Sequence, residues 1–117
     1  DLEMKVTKAM GFRGARYIQI NVPCPLGWGA ASHDTIRLAR LAIETGLFPI
    51  FEAENGRITH VRKIRQRKSV AEYLKLQRRF AHLFKGGKED PRVARIQAIA
   101  DRHIADFGLL ETPAGAA

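Results

Sequence analysis

Ala15-Arg16-Tyr17-Ile18-Gln19-Ile20-Asn21-Val22, followed without a gap by Pro23-Cys24-Pro25-Leu26-Gly27-Trp28-Gly29, is the stretch on which the reading of the fold turns. Tyr17, Ile18, Ile20 and Val22 supply the aromatic and β-branched content that strands favour, and Gln19 and Asn21 alternate with the apolar residues. A strand is therefore predicted over residues 15–22. Upstream, Leu2, Val6, Ala9 and Met10 recur at helical spacing until Gly11 and Gly14 break the pattern. Helix, short glycine turn, strand is the second half of a crossover unit in a mostly parallel sheet. The first half is not in the sequence, so the chain reads as the closing piece of a larger α/β subunit.

The Pro- and Gly-rich run 23–29 leaves the carboxyl end of this strand, and two prolines with two glycines argue against regular structure there. Ser32 or Asp34 is placed to cap the next helix, which carries Ile36, Leu38, Leu41, Ala42 and Ile43 and ends near Gly46. Asn55-Gly56 between two strand-like runs (50–54 and 57–61) is a two-residue hairpin signal. Ser69-Val70-Ala71-Glu72 matches a capping box, and the apolar stripe that follows predicts a helix running to Phe80. After the break Lys85-Gly86-Gly87-Lys88, Asp90-Pro91 places a cap and an N1 proline before a last helix stopped by Gly108, with residues 112–117 as a frayed end.

The 117 residues suffice for one modest core, and 45% hydrophobic with 27% charged content is that of a folded chain rather than a disordered one. Neither an apolar run long enough to span a membrane nor a secretory leader is visible. One cysteine excludes an internal disulfide and fits a reducing cytoplasm. The net charge of +8 permits an anionic partner, and much of it sits in Arg57, Arg62, Lys63, Arg65, Arg67 and Lys68. A basic module binding nucleic acid or an acidic protein is thus the alternative to an enzyme. No aromatic residue interleaves with those cations, so a base-stacking platform is missing and nucleic acid is not the expected partner.

Cys24 is the leading candidate for chemistry, because open α/β sheets place ligands beyond the carboxyl ends of their strands. The competing reading is a small buried thiol. It is not a complete metal site, since clusters and zinc take about four ligands. His33, His60, His82 and His103 show no ligand spacing, and Asp34, Glu44, Glu52, Glu54 and Glu72 form no obvious carboxylate pair. Walker, dinucleotide and CxxC signatures are absent from the sequence. Trp28 is read as packing beneath the Cys24 loop.

Four segments taken in order carry a resemblance. They are Pro23-Cys24-Pro25-Leu26-Gly27-Trp28, then Ile36-Arg37-Leu38-Ala39-Arg40-Leu41-Ala42-Ile43-Glu44-Thr45-Gly46-Leu47-Phe48-Pro49, then Phe51-Glu52-Ala53-Glu54-Asn55-Gly56, and finally Val70-Ala71-Glu72-Tyr73-Leu74-Lys75-Leu76-Gln77-Arg78-Arg79-Phe80. Together they resemble the C-terminal part of the beta subunit of 2-oxoacid:ferredoxin oxidoreductases, the thiamine-diphosphate subunit of the pyruvate synthase type. The likeness runs from the first helix to Leu83.

That resemblance implies the closing section of a thiamine-diphosphate-binding α/β fold: helix, parallel-type strand, helix, β-hairpin and two C-terminal helices. Residues 1–49, with the Cys24 loop, are expected to close the thiamine-diphosphate domain, and residues 50–117 to form a hairpin and helical extension. Cys24 is implied to be the last of four thiolates on a [4Fe-4S] cluster near the thiamine. The other three thiolates, and the Gly-Asp-Gly segment that holds the diphosphate and Mg2+, belong to upstream sequence. No catalytic or thiamine-contacting residue is therefore expected here. The implied reaction is oxidative decarboxylation of a 2-oxoacid, pyruvate or a relative such as an aryl glyoxylate, to an acyl-coenzyme A. Electrons would pass through iron–sulfur clusters to ferredoxin or another acceptor. The implied partners are subunits of the alpha, gamma and ferredoxin-like delta type, and the implied site of action is the cytoplasm.

Overall fold

Asp90-Pro91 begins the longest described element, α5 (Pro91–Asp106), where the sequence places it. The computed structural model of the chain describes residues 1–111, so the frayed end expected at 112–117 lies outside the described residues. Asp90 accepts the Arg92 backbone N–H at 2.8 Å and receives the Arg92 guanidinium on both oxygens. The Arg92 side chain first, and its N–H second, hold the Asp90 carboxyl well below the usual carboxylate range. Because the folded value is depressed, the cap's contribution is complete above the ordinary range and is lost as pH falls from there towards that value.

The other elements, in chain order, are α1 (Leu2–Met10), α2 (Pro25–Trp28), α3 (Thr35–Glu44), β1 (Phe51–Glu54), β2 (Arg57–Val61) and α4 (Val70–Lys75). Together with α5 they make a mixed α/β architecture whose described sheet is one antiparallel hairpin. Asn55 and Gly56 both have positive φ, 51° and 77°, which is the backbone a tight primed turn requires. A bulge between Glu52 and Ala53 shifts the register, and Phe51 packs on Phe107, the residue just past α5, with ring centroids 4.9 Å apart.

The main core lies where α3, α4 and α5 meet. Leu38, Leu41 and Ala42 of α3 recur at i, i+3 and i+4, and they pack with Val70, Tyr73 and Leu74 of α4 and with Val93 and Ala100 of α5. A smaller cluster of Ile64, Ile104 and Leu109 joins the hairpin's exit to the end of α5. The capping box forms as predicted: Ser69 Oγ accepts from Ala71 N at 3.2 Å and Glu72 accepts from Ser69 N at 3.4 Å. Ser69→Ala is expected to lower stability by about 1 kcal/mol, read as a shift of the denaturant midpoint at constant slope.

The strand expected over residues 15–22 does not form. The segment is irregular and exposed, with Tyr17 at 84% and Val22 at 69% exposure. A strand is defined by its partner, and among the described residues no segment pairs with this one. The helix expected to reach Phe80 ends at Lys75. Gln77 is buried with an extended backbone, and its Nε2 donates to the Tyr73 carbonyl at 2.8 Å, so its amide takes over a helix carbonyl and the chain turns away. A 3-10 stretch, Arg78–Gly87, follows with a break at Phe84 to Gly86. At α3, neither Ser32 nor Asp34 accepts a backbone N–H as a side-chain cap. Residues Ser32–Asp34 form a 3-10 turn instead, and Asp34 faces Arg37 at 3.7 Å.

Candidate functional site

The run expected to be irregular contains one helical turn. Pro23 is buried, Cys24 takes the extended N-cap conformation (φ −111°, ψ 100°), and Pro25 fills N1, where its missing N–H costs nothing and its ring fixes a helical φ. Trp28 N donates to the Cys24 carbonyl at 2.9 Å and closes the turn α2. Gly29 (φ 64°) ends it in the left-handed region, as a C-terminal glycine does.

Cys24 is exposed and free among the described residues, not packed into their core. Its Sγ accepts the Gly27 N–H at 3.4 Å. A Cβ on residue 27 would sit 3.3 Å from that sulfur, so glycine keeps the space beside it open. Leu26 is 96% exposed next to it. Chemically, the turn presents one sulfur donor to its surroundings. Among the described residues no group of three or more His, Cys, Asp or Glu gathers to hold a metal, so Cys24 can serve a metal centre only as a single ligand.

The turn is fastened from below by the segment after α4. Arg78 N donates to the Gly29 carbonyl at 3.1 Å, an approach so close that a Cβ on Gly29 would lie 2.7 Å from Arg78 Cβ. The Arg79 guanidinium lies 4.2 Å from the Trp28 ring centroid and 4.8 Å from that of Phe80. Arg79 Nε donates to the Gln77 Oε1 at 2.9 Å. Trp28 is half-buried against the main core, as the packing reading expects. Nothing local in the sequence announces this fastening: Gln77-Arg78-Arg79 continues the apolar-stripe pattern of a helix that ends at Lys75, and no spacing links Arg79 to Trp28.

The remaining candidates do not converge on Cys24. His103 Nδ1 lies 3.0 Å from the Gly46 carbonyl and therefore carries the proton there, while His33 is paired with Asp34 on the surface. Glu52 and Glu54, two apart on β1 and thus on one face, converge on Lys8 of α1 at 3.1 and 2.7 Å, a pairing the sequence reading missed. Hydrogen bonds that Lys8 donates to Glu54 and Glu52 raise its pKa, and the one it donates to Glu52 lowers that of Glu52. Within the basic run, Lys63 donates to the Gly108 carbonyl at 2.5 Å and Arg67 pairs with Asp101, whereas Arg57, Arg62 and Arg65 face solvent. No described helix is long and apolar enough to cross a membrane.

The described residues form a mixed α/β chain that carries a solvent-facing thiol on a braced Pro-Cys-Pro turn. Comparison with known proteins places it. The chain is 48% identical over 111 residues to the pyruvate synthase subunit PorB of Methanosarcina barkeri, covering 93% of this chain and 37% of that protein. It is 42% identical over 109 residues to the PorB subunit of Methanocaldococcus jannaschii, covering 93% of this chain and 35% of that one. It is also 42% identical over 87 residues to the ketoisovalerate oxidoreductase subunit VorB of Pyrococcus abyssi, covering 73% of this chain and 28% of that one. No protein-family model matches the chain. The chain belongs to the beta-subunit family of 2-oxoacid oxidoreductases and corresponds to its C-terminal part. It spans about a third of the length of the curated relatives it matches.

Proposed function

We propose that the chain closes the thiamine-diphosphate subunit of a complex that oxidatively decarboxylates a 2-oxoacid to an acyl-coenzyme A, with Cys24 as one thiolate of a [4Fe-4S] cluster. The observation that carries this reading is the exposed Cys24 sulfur on a braced turn, in a chain of this family. The residues present fit an iron–sulfur ligand: the sulfur faces outward, Gly27 gives it an N–H, and the absence of a Cβ at 27 leaves it room. N–H groups aimed at cluster sulfurs are among the contacts that set a cluster's potential. When bound, such a cluster accepts electrons one at a time, which suits passage to ferredoxin or a similar carrier.

The work of this chain's own residues is to hold one sulfur. Pro23 and Pro25 stiffen the backbone on either side of it, and the α2 turn aims it away from the core. Residues 1–49 complete the thiamine-diphosphate domain in this proposal, and residues 50–117 form the extension that braces it. Thiamine diphosphate and Mg2+ are held by upstream sequence, and the alpha-, gamma- and delta-type subunits supply the remaining parts. An exposed thiol of this kind belongs in a reducing compartment, the cytoplasm.

Pyruvate is the favoured substrate because the relative of highest identity among those given above, at 48%, is a pyruvate synthase subunit. The complex containing the full-length subunit, purified without oxygen, should reduce a viologen acceptor only when both pyruvate and coenzyme A are supplied. Its kcat/KM for pyruvate should exceed that for 3-methyl-2-oxobutanoate by about tenfold or more, the scale on which pockets separate substrates by a few carbons. A preference for the branched acid would reassign the substrate. Failure to turn over any 2-oxoacid would sink the proposal.

A further inference from the structure

We infer that Arg79 is a positioning residue for Cys24, holding the sulfur's orientation through Trp28; this rests on Cys24 being the cluster ligand proposed above. The contacts form one unbroken series. The Tyr73 carbonyl, at the end of α4, accepts from Gln77 Nε2 at 2.8 Å. The Gln77 Oε1 accepts from Arg79 Nε at 2.9 Å. The Arg79 guanidinium covers the Trp28 ring at 4.2 Å, and Trp28 N donates to the Cys24 carbonyl at 2.9 Å. Each link fixes the next, and the series starts from a side chain only 1% exposed and so unable to drift.

Two features separate positioning from general stability. First, Arg79 is an exposed residue that caps the outer side of Trp28 and Phe80 and is not itself a core residue; its planar face matches an indole face as an ammonium would not. Second, the contact acts on the one turn that carries the sulfur, and α2 has only four residues to hold itself in place. A single turn has little intrinsic persistence, so its direction is set by what it rests on. Gly29 and Arg78 fix the turn's end to the same segment by backbone, and Arg79 fixes its rotation by side chain. Residues that orient a metal ligand without touching the metal set how firmly the metal is held and at what potential it works.

The test uses the full-length subunit in its complex, prepared without oxygen. Three readouts are taken: iron release to bathophenanthroline disulfonate, the electron paramagnetic resonance spectrum of the reduced clusters, and the unfolding midpoint. Arg79→Ala should unfold at the parent's midpoint but release cluster iron about tenfold faster, with a broadened spectrum. Arg79→Lys should recover only part of the difference. Trp28→Phe, which keeps an apolar body under the turn, should shift the spectrum in the same direction, and it carries the test if Arg79→Ala does not fold. Lys75 makes a comparable exposed contact elsewhere, over Phe84 at 5.1 Å and with Glu89 at 3.0 Å, so Lys75→Ala should behave as the parent. Parental release and spectrum in Arg79→Ala and Trp28→Phe would overturn the inference, as would equal acceleration by Lys75→Ala. Cys24→Ala, run in parallel, separates the two levels. If it loses its cluster while Arg79→Ala is silent, only the positioning role fails; if it keeps the cluster, the ligand reading itself fails.

Discussion

Cys24→Ala in the full-length subunit is expected to remove about four iron atoms per subunit, the content of one cubane cluster, and with them electron transfer to the acceptor. The size of this effect comes from the cofactor and not from the fold. In the folded chain the Cys24 sulfur makes one long hydrogen bond, from Gly27 N at 3.4 Å. Losing a good oxygen cap costs about 1 kcal/mol, and a thiol is a poorer acceptor than oxygen. The turn keeps Pro25 at N1, the Trp28-to-Cys24 bond and the Gly29–Arg78 bond, none of which uses the thiol. Fold and cluster should therefore separate cleanly in the measurement, with the unfolding midpoint nearly unmoved and the iron gone. Cys24→Ser sharpens the comparison. Serine is the better N-cap, so its turn should be at least as firm, yet it offers the iron a hard oxygen in place of a thiolate. Serine should thus resemble alanine in iron content or, where iron stays, shift the cluster's potential. Full iron and parental acceptor reduction in both variants would remove Cys24 from the site while leaving family membership untouched.

What could be read in advance and what could not divide along the range of the interactions. Asn55-Gly56, Ser69 with Glu72, and Asp90-Pro91 each act within four residues, and each produced the turn or cap that its chemistry demands. Cys24 stands out in the sequence as a cysteine in a Pro- and Gly-rich loop at the end of an expected strand; the strand does not form, while the thiol is exposed. The misreadings are all cases where a distant partner decides. Residues 15–22 have strand composition, but strand formation needs a neighbour that no local pattern can supply. Gln77 continues the helical stripe of Val70, Tyr73 and Leu74, and only the burial of its amide against Tyr73 shows why the helix stops. The two carboxylates on β1 looked unpaired because their cation, Lys8, stands on α1. The same holds for Arg79 and Trp28. Each is unremarkable in its own segment, and the brace exists only because the chain returns beneath the Cys24 turn.

Gly46→Ala is expected to be among the most damaging single-methyl changes in the chain, at about 2–5 kcal/mol. Gly46 is buried just past the end of α3 at φ 81°. Two separate costs meet there. A side chain in that left-handed region costs about 1–2 kcal/mol. The added Cβ would also lie 2.7 Å from Ile104 Cγ1 and 3.0 Å from the Ala100 carbonyl oxygen. The first neighbour could rotate away, but the second is α5 backbone, and moving it breaks the helix's own hydrogen bonding. Overpacking of this kind costs about 1–3 kcal/mol. The crossing has no slack on the other side, since Ala100 is fully buried and His103 Nδ1–H is bonded to the Gly46 carbonyl at 3.0 Å. Gly56 supplies the internal control. Its φ is 77°, nearly the same, yet nothing lies within 4 Å of where its Cβ would be. Gly56→Ala should therefore show the backbone cost alone, and Gly46→Ala that cost plus the clash. Denaturant unfolding at unchanged slope measures both. If the two variants lose the same stability, α3 and α5 do not meet as closely as the Gly46–Ala100 contact requires. If Gly46→Ala loses more by the overpacking amount, the approach of these helices is what seats α3, and with it the start of the segment that leads back to the Cys24 turn.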